Sequence, residues 1–150
     1  MKRTIIKPGN VYSVPLDCGK YGYAQALEFP EFAFFNVATE NELSAQDVVT
    51  YPVMFRIWVH KSSVSEWNKI GKVQINSALS EQVPRFKQDA INGKLSIYIN
   101  AQEKPASFNE VKGLECAAIW ESSHILSRIC DHLAGKENKW VKLLQPKQNG

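Results

Sequence analysis

Apolar and polar positions change their rhythm about three quarters of the way along the chain. In the first half, short apolar runs are broken by turn residues, which is the pattern of strands. Pro8-Gly9-Asn10 marks a turn, and Val11, Tyr12, Val14 and Leu16 follow as a strand that Pro15 places at an edge or an end. Asp17-Cys18-Gly19-Lys20 reads as a hairpin turn into Tyr21 to Phe29, where Tyr21, Tyr23 and Leu27 share period-two parity. Phe32 to Val37 is a short apolar run, expected as a buried third strand. Glu40 to Val49 is compatible with a short helix. Val53 to His60 alternates most cleanly, with Val53, Phe55, Ile57 and Val59 on one side and Met54, Arg56, Trp58 and His60 on the other. Trp67 to Ile75 is expected as another strand, and Leu95 to Ile99 as one more after the Asn92-Gly93 turn.

From Leu114 to Ala134 the chain holds no Pro or Gly, and Gly113 and Gly135 bracket it. At about 100° per residue, Leu114, Ala118, Ile119, Ile125, Leu126, Ile129, Cys130 and Leu133 fall within half of a helical wheel. Trp120, Glu121, His124, Ser127, Arg128 and Asp131 fall on the other half. The pattern predicts an amphipathic helix of about twenty residues. The expected fold is α+β: an antiparallel, barrel-like or strongly bent sheet carrying one long amphipathic C-terminal helix.

Composition narrows the class. The 150 residues suit a single domain, 1–150, and no linker or internal repeat divides them. Sixteen aromatic residues supply enough apolar area to exclude whole-chain disorder. No apolar run approaches the ~18–20 residues of a membrane span. Lys2 and Arg3 are followed by Ile5-Ile6 and at once by Lys7-Pro8, which leaves no signal-peptide core. The three cysteines, at 18, 116 and 130, are an odd and scattered set, so reduced thiols and a cytoplasmic location are expected.

Net charge is only +3, but it is unevenly spread. Residues 21–50 hold Glu28, Glu31, Glu40, Glu42 and Asp47 with no Lys or Arg, a net −5, whereas residues 51–100 carry seven bases and three acids, a net +4.

The residues that carry chemistry are dispersed. There is no Cys-x-x-Cys, no pair of histidines at i, i+4, and no phosphate-cradling glycine loop. On one helix Cys116 and His124 would be eight residues, about 12 Å, apart, too far for a nucleophile and its base. No metal and no cofactor are therefore expected. Arg56, Trp58, His60, Lys61, Trp67, Lys69 and Lys72 have the composition of a single-strand nucleic-acid groove. The same residues also fit the two faces of an ordinary sheet, which is the favoured account. Trp120, His124, Arg128 and Asp131 recur at spacings of four, four and three and line one helix face. They are read either as a partner-binding or catalytic row or, preferentially, as a stripe that ties the helix to neighbouring loops or is simply solvated.

Taken in order, Pro8-Gly9-Asn10-Val11-Tyr12, Pro15-Leu16, Gly19-Lys20-Tyr21, Phe55-Arg56-Ile57-Trp58-Val59, Trp67 with Ile70-Gly71, and Pro84 with Phe86-Lys87-Gln88-Asp89 resemble the immunity protein 26 family of bacterial polymorphic toxin systems. Gly113-Leu114-Glu115, Trp120, His124, Arg128, His132, Gly135 and Trp140 extend the resemblance over nearly the whole chain. The resemblance implies a non-enzymatic cytoplasmic antitoxin of the contact-dependent-inhibition type. It would bind a cognate toxin domain, often a nuclease, in a 1:1 complex and block its active site or substrate groove. A nuclease is basic where it grips phosphate, so an inhibitor would offer acids there. Glu28, Glu31, Glu40, Glu42 and Asp47 are the candidate partner-binding residues, with Phe29 and Phe32 as aromatic anchors. Some relatives carry a phosphotriesterase label. Such enzymes hold two zincs with several histidines, and three dispersed histidines fit that poorly. A single-strand nucleic-acid module is the remaining alternative.

Overall fold

The computed structural model describes residues 5–148. Ten strands form two sheets. The first takes β1 (Asn10–Pro15), β2 (Tyr21–Ala26), β3 (Glu31–Phe35), β4 (Val53–Val59), β5 (Asn68–Lys72) and β10 (Ile119–Trp120), in the order β10-β4-β3-β2-β1-β5. The second takes β6 (Arg85–Gln88), β7 (Leu95–Ile99), β8 (Gln102–Pro105) and β9 (Glu115–Cys116), in the order β8-β7-β6-β9. Neighbours are antiparallel except β10 on β4 and β9 on β6. The helices are short: α1 (Ala45–Val48), α2 (Lys61–Val64), α3 (Phe108–Val111), α4 (Ser122–Leu133) and α5 (Lys139–Leu143). No helix among the described residues is long and apolar enough to cross a membrane.

The α+β class holds, with strands where the first half of the sequence placed them. The barrel does not: both sheets are open and keep free edges. The long helix is also shorter than expected. Residues 114–121 are not helical but supply one edge strand to each sheet. The Ala117 N–H donates to the Phe86 carbonyl at 2.9 Å, and the His60 N–H donates to the Trp120 carbonyl at 2.9 Å. A ladder that satisfies those backbone groups outweighs the helix propensity of a Cys-Ala-Ala-Ile run. Only Ser122–Leu133 is left to form α4.

Strands β1, β2 and β3 of the first sheet are buried on both faces. Tyr12, Val14, Ala24, Ala26, Phe32, Phe34, Phe55 and Ile57 pack beneath Val64, Trp67, Ile125 and Ile129. Trp67 meets Phe32 and Phe34 edge-on, with ring centroids at 5.6 and 5.7 Å. Opposite, Val11, Tyr23, Phe35 and Val37 are covered by Ala45 and Val48 of the 36–52 connection. This double burial is why β1, β2 and β3 read as near-continuous apolar runs. β4 alternates cleanly because its second face is only half-buried.

Candidate functional site

The acid-rich stretch of residues 21–50 does not fold into one patch. Glu28 and Glu31 lie in and just after the β2–β3 turn. Glu40, Glu42 and Asp47 lie in the 36–52 connection, beyond the other end of β3. Five residues of strand at ~3.3 Å each separate the two groups by about 15 Å.

Within the first group the roles diverge. Glu28 is exposed, and Phe29 is 49% exposed. Phe32 is fully buried at the centre of the aromatic cluster, so it offers no surface and is not an anchor. Period two put it on the core face of β3, one residue from a turn, where sequence distance suggested a neighbour of Phe29.

Glu31 is also committed to the fold. Its Oε1 accepts from Arg56 Nη2 at 2.9 Å and its Oε2 from Arg85 Nη2 at 2.6 Å. Arg85 is only 2% exposed, donates to the Arg56 carbonyl at 3.2 Å, and sits over the Trp58 ring at 4.9 Å. Burial draws its guanidinium down from the ordinary value, and the Glu31 carboxylate opposes that shift. Arg56 also donates to the carbonyls of Leu79 and Glu81, pinning the segment that leads into β6. One carboxylate thus bolts the second sheet to the first.

Above this cluster opens a cleft of about 210 Å³ between the sheets, lined by Glu28, Phe29, Trp58, Arg85 and Tyr98 among others. Trp58 and Tyr98 meet edge-on, with centroids 5.8 Å apart. The β2–β3 turn forms one wall and β7 the other. Its chemistry is that of a receptor for a side chain: an aromatic floor, one exposed carboxylate, and a paired guanidinium beneath.

In the second group, Glu42 accepts from the Ser13 hydroxyl and from Asn68 Nδ2, the latter at 3.0 Å. These bonds hold its carboxyl below the ordinary range, with Ser13 the larger cause. The residue therefore ties its loop to β1 and β5. Glu40 and Asp47 are exposed.

The other sequence candidates are mostly used in packing. His60 Nδ1 accepts from the Ser62 N–H at 3.2 Å and caps α2. His124 stacks on Trp140 at 3.7 Å, and His132 lies edge-on to Phe55. Among the described residues no group of His, Cys, Asp and Glu is arranged to hold a metal ion. Cys116 is on β9, not on a helix with His124. Burial pushes its thiol up, and burial chiefly, with the adjacent Cys18, pushes up that of Cys130. Trp67 is buried in the core and offers no ring for base stacking.

The expected helix row is a set of ties only in part. Arg128 makes a two-pronged pair with Glu115, at 2.5 and 3.1 Å, and lies over Phe55 and Trp120. Asn138 donates to Asp131 at 2.9 Å and to Ser127 at 3.1 Å, and it caps α5. Trp120 lies on β10 rather than on α4, so the four residues do not share one helix face; of the row, Arg128 and Asp131 make polar ties to neighbouring segments, while His124 packs on Trp140.

Residues 7–96 match the family described as immunity protein 26. The chain belongs to the immunity protein 26 family. The match runs from just before β1 into β7, so it includes the β2–β3 turn, the Glu31–Arg56–Arg85 cluster and most of the cleft. The helix motifs of the last third lie outside it. No curated protein and no solved structure matches the chain.

Proposed function

We propose that this immunity protein neutralises a cognate toxin domain, a nuclease, by forming a 1:1 complex that covers the toxin's active site or substrate groove. It does so as a stoichiometric inhibitor rather than a catalyst, in the cytoplasm of the bacterium that makes the toxin. The observation that carries this reading is the family match over residues 7–96.

The exposed pair Glu28–Phe29 at the mouth of the cleft is the contact of choice. An aromatic ring half out of solvent beside a free carboxylate suits a basic surface with a shallow apolar pocket. Glu40 and Asp47, beyond the other end of β3, act as steering charges whose effect is on the association rate. Glu31, Glu42 and Phe32 contribute by holding the frame.

The test is co-expression with the cognate toxin domain. Growth should be restored, and the two proteins should co-purify in equal amounts. Protection without a complex, or turnover of the toxin by catalytic amounts of this protein, would overturn the reading.

A further inference from the structure

Of the fifteen Asp and Glu residues, eight have a carboxylate that is hydrogen-bonded or ion-paired to a side chain or a backbone N–H. Seven have no such partner among the described residues: Asp17, Glu28, Glu40, Asp47, Glu66, Glu81 and Glu121. Three of the seven meet in one place. Asp17 of the β1–β2 turn, Glu66 beyond α2, and Glu121 before α4 line an open groove of about 580 Å³. All three are exposed. No Lys or Arg lines the groove; Lys61 opens α2 but is not part of the wall. Glu121 holds the N-cap position of α4, yet its carboxylate makes no capping bond and is not spent on the helix.

A second observation is independent of the charges. Ser63 also lines the groove, is 1% exposed, and its Oγ has no hydrogen-bond partner among the described residues. Buried hydroxyls are normally paired, and this one, closed to solvent on the groove wall, is not. The wall also offers the Ser62, Ser122 and Ser123 hydroxyls and the half-buried Leu126. The half positive charge at the start of α4 opposes a cation, but three carboxylates outweigh it.

We infer that this groove is an interaction surface for a basic protein segment, and that a Lys or Arg side chain of the partner enters between Asp17, Glu66 and Glu121 while a polar group pairs with Ser63. The inference rests on the antitoxin reading for the partner's identity, and it adds to the cleft mouth a contact that shares none of its residues. An arginine is the better fit, because its planar fork pairs with carboxylates and hydroxyls together.

Two measurements test it. The first titrates the full chain with a hexa-arginine peptide at low salt and follows backbone amide shifts. Shifts should cluster at Asp17, Ser62 to Glu66 and Glu121 to Leu126, and should vanish in the triple variant Asp17→Asn, Glu66→Gln, Glu121→Gln. Shifts that spread over the surface, or cluster at Glu28 or Glu40 instead, overturn the inference. The second measures affinity for the toxin domain. The triple variant should weaken the complex by about tenfold or more and flatten its salt dependence. A charge-matched control, Glu81→Gln, Glu103→Gln, Glu137→Gln, should change it far less. Equal effects of the two triples, or no effect of either while the native chain still binds, refute the groove and leave the antitoxin reading standing. If the native chain does not bind the toxin, that reading fails, and the peptide titration still decides the chemistry of the groove.

Discussion

Removing the Glu31 carboxylate tests whether the two sheets are held together as described. In Glu31→Ala, Arg85 keeps only its bond to the Arg56 carbonyl at 3.2 Å and the Trp58 ring at 4.9 Å, and it is 2% exposed. Arg56 keeps two carbonyl partners and fares better. Breaking a buried pair from one side costs ~3–5 kcal/mol, because the surviving charge stays buried and uncompensated. The side chains of Glu31 and Arg56 are 14% and 12% exposed, so some water reaches the site and the lower end applies. The expected loss is about 3 kcal/mol, a large fraction of the ~5–15 kcal/mol that holds a domain folded. At ~2–4 °C per kcal/mol, Tm should fall by about 6–12 °C. Glu31→Gln retains one acceptor oxygen and should lose about half as much. Urea unfolding followed by tryptophan fluorescence measures both. The decisive comparison is the double variant Glu31→Ala, Arg85→Met, which removes the stranded charge and should recover part of the loss. A loss below about 1 kcal/mol in Glu31→Ala, or a double variant less stable than the single, would refute the bolt.

Phe32→Ala should cost ~3–5 kcal/mol in the same urea assay, since the ring is fully buried against Tyr12 and Trp67; an unchanged midpoint would mean that the residue is not in the core. Gly71→Ala should cost ~1–3 kcal/mol, because a Cβ there would meet the Ala45 Cβ at 2.8 Å and force α1 away from β5; a neutral result in thermal melts would contradict that packing. Glu42 has a folded-state carboxyl below its ordinary value of 4.5, so its contribution is fully present above that value and is lost as pH falls through the lower folded value. Glu42→Gln should therefore flatten the stability–pH curve below about pH 4.5 and leave its slope unchanged at neutral pH, as read by urea midpoints across pH. Phe29→Ala should leave the unfolding midpoint within about 0.5 kcal/mol yet weaken toxin binding, and calorimetry showing full affinity would move the contact away from the cleft mouth.

By itself the sequence determined what short-range pattern can encode. The turns at Gly9, Gly19 and Gly93 all carry positive φ, and the strands Val53–Val59 and Leu95–Ile99 appear where alternation and turn residues placed them. The family was legible too, because the motifs from Pro8 to Asp89 are local and lie in order within residues 7–96, whereas those quoted from residues 113–140 fall outside the match. Residues 114–121 were not legible: a helical wheel places Leu114, Ala118 and Ile119 on the apolar half, and only the waiting edges of β4 and β6 draw this segment into strands. The charge of residues 21–50 was legible as a number but not as a surface, since β3 carries Glu28 and Glu42 to opposite ends and distant residues claim Glu31 and Glu42. The tertiary structure alone brought together Asp17, Glu66 and Glu121, which lie about a hundred positions apart at the extremes. It also placed Arg85 beneath Glu31, across 54 residues of chain. Periodicity reports which face of its own element a residue occupies. Which charges stay unpaired is decided by long-range partners, and no window of local sequence contains them.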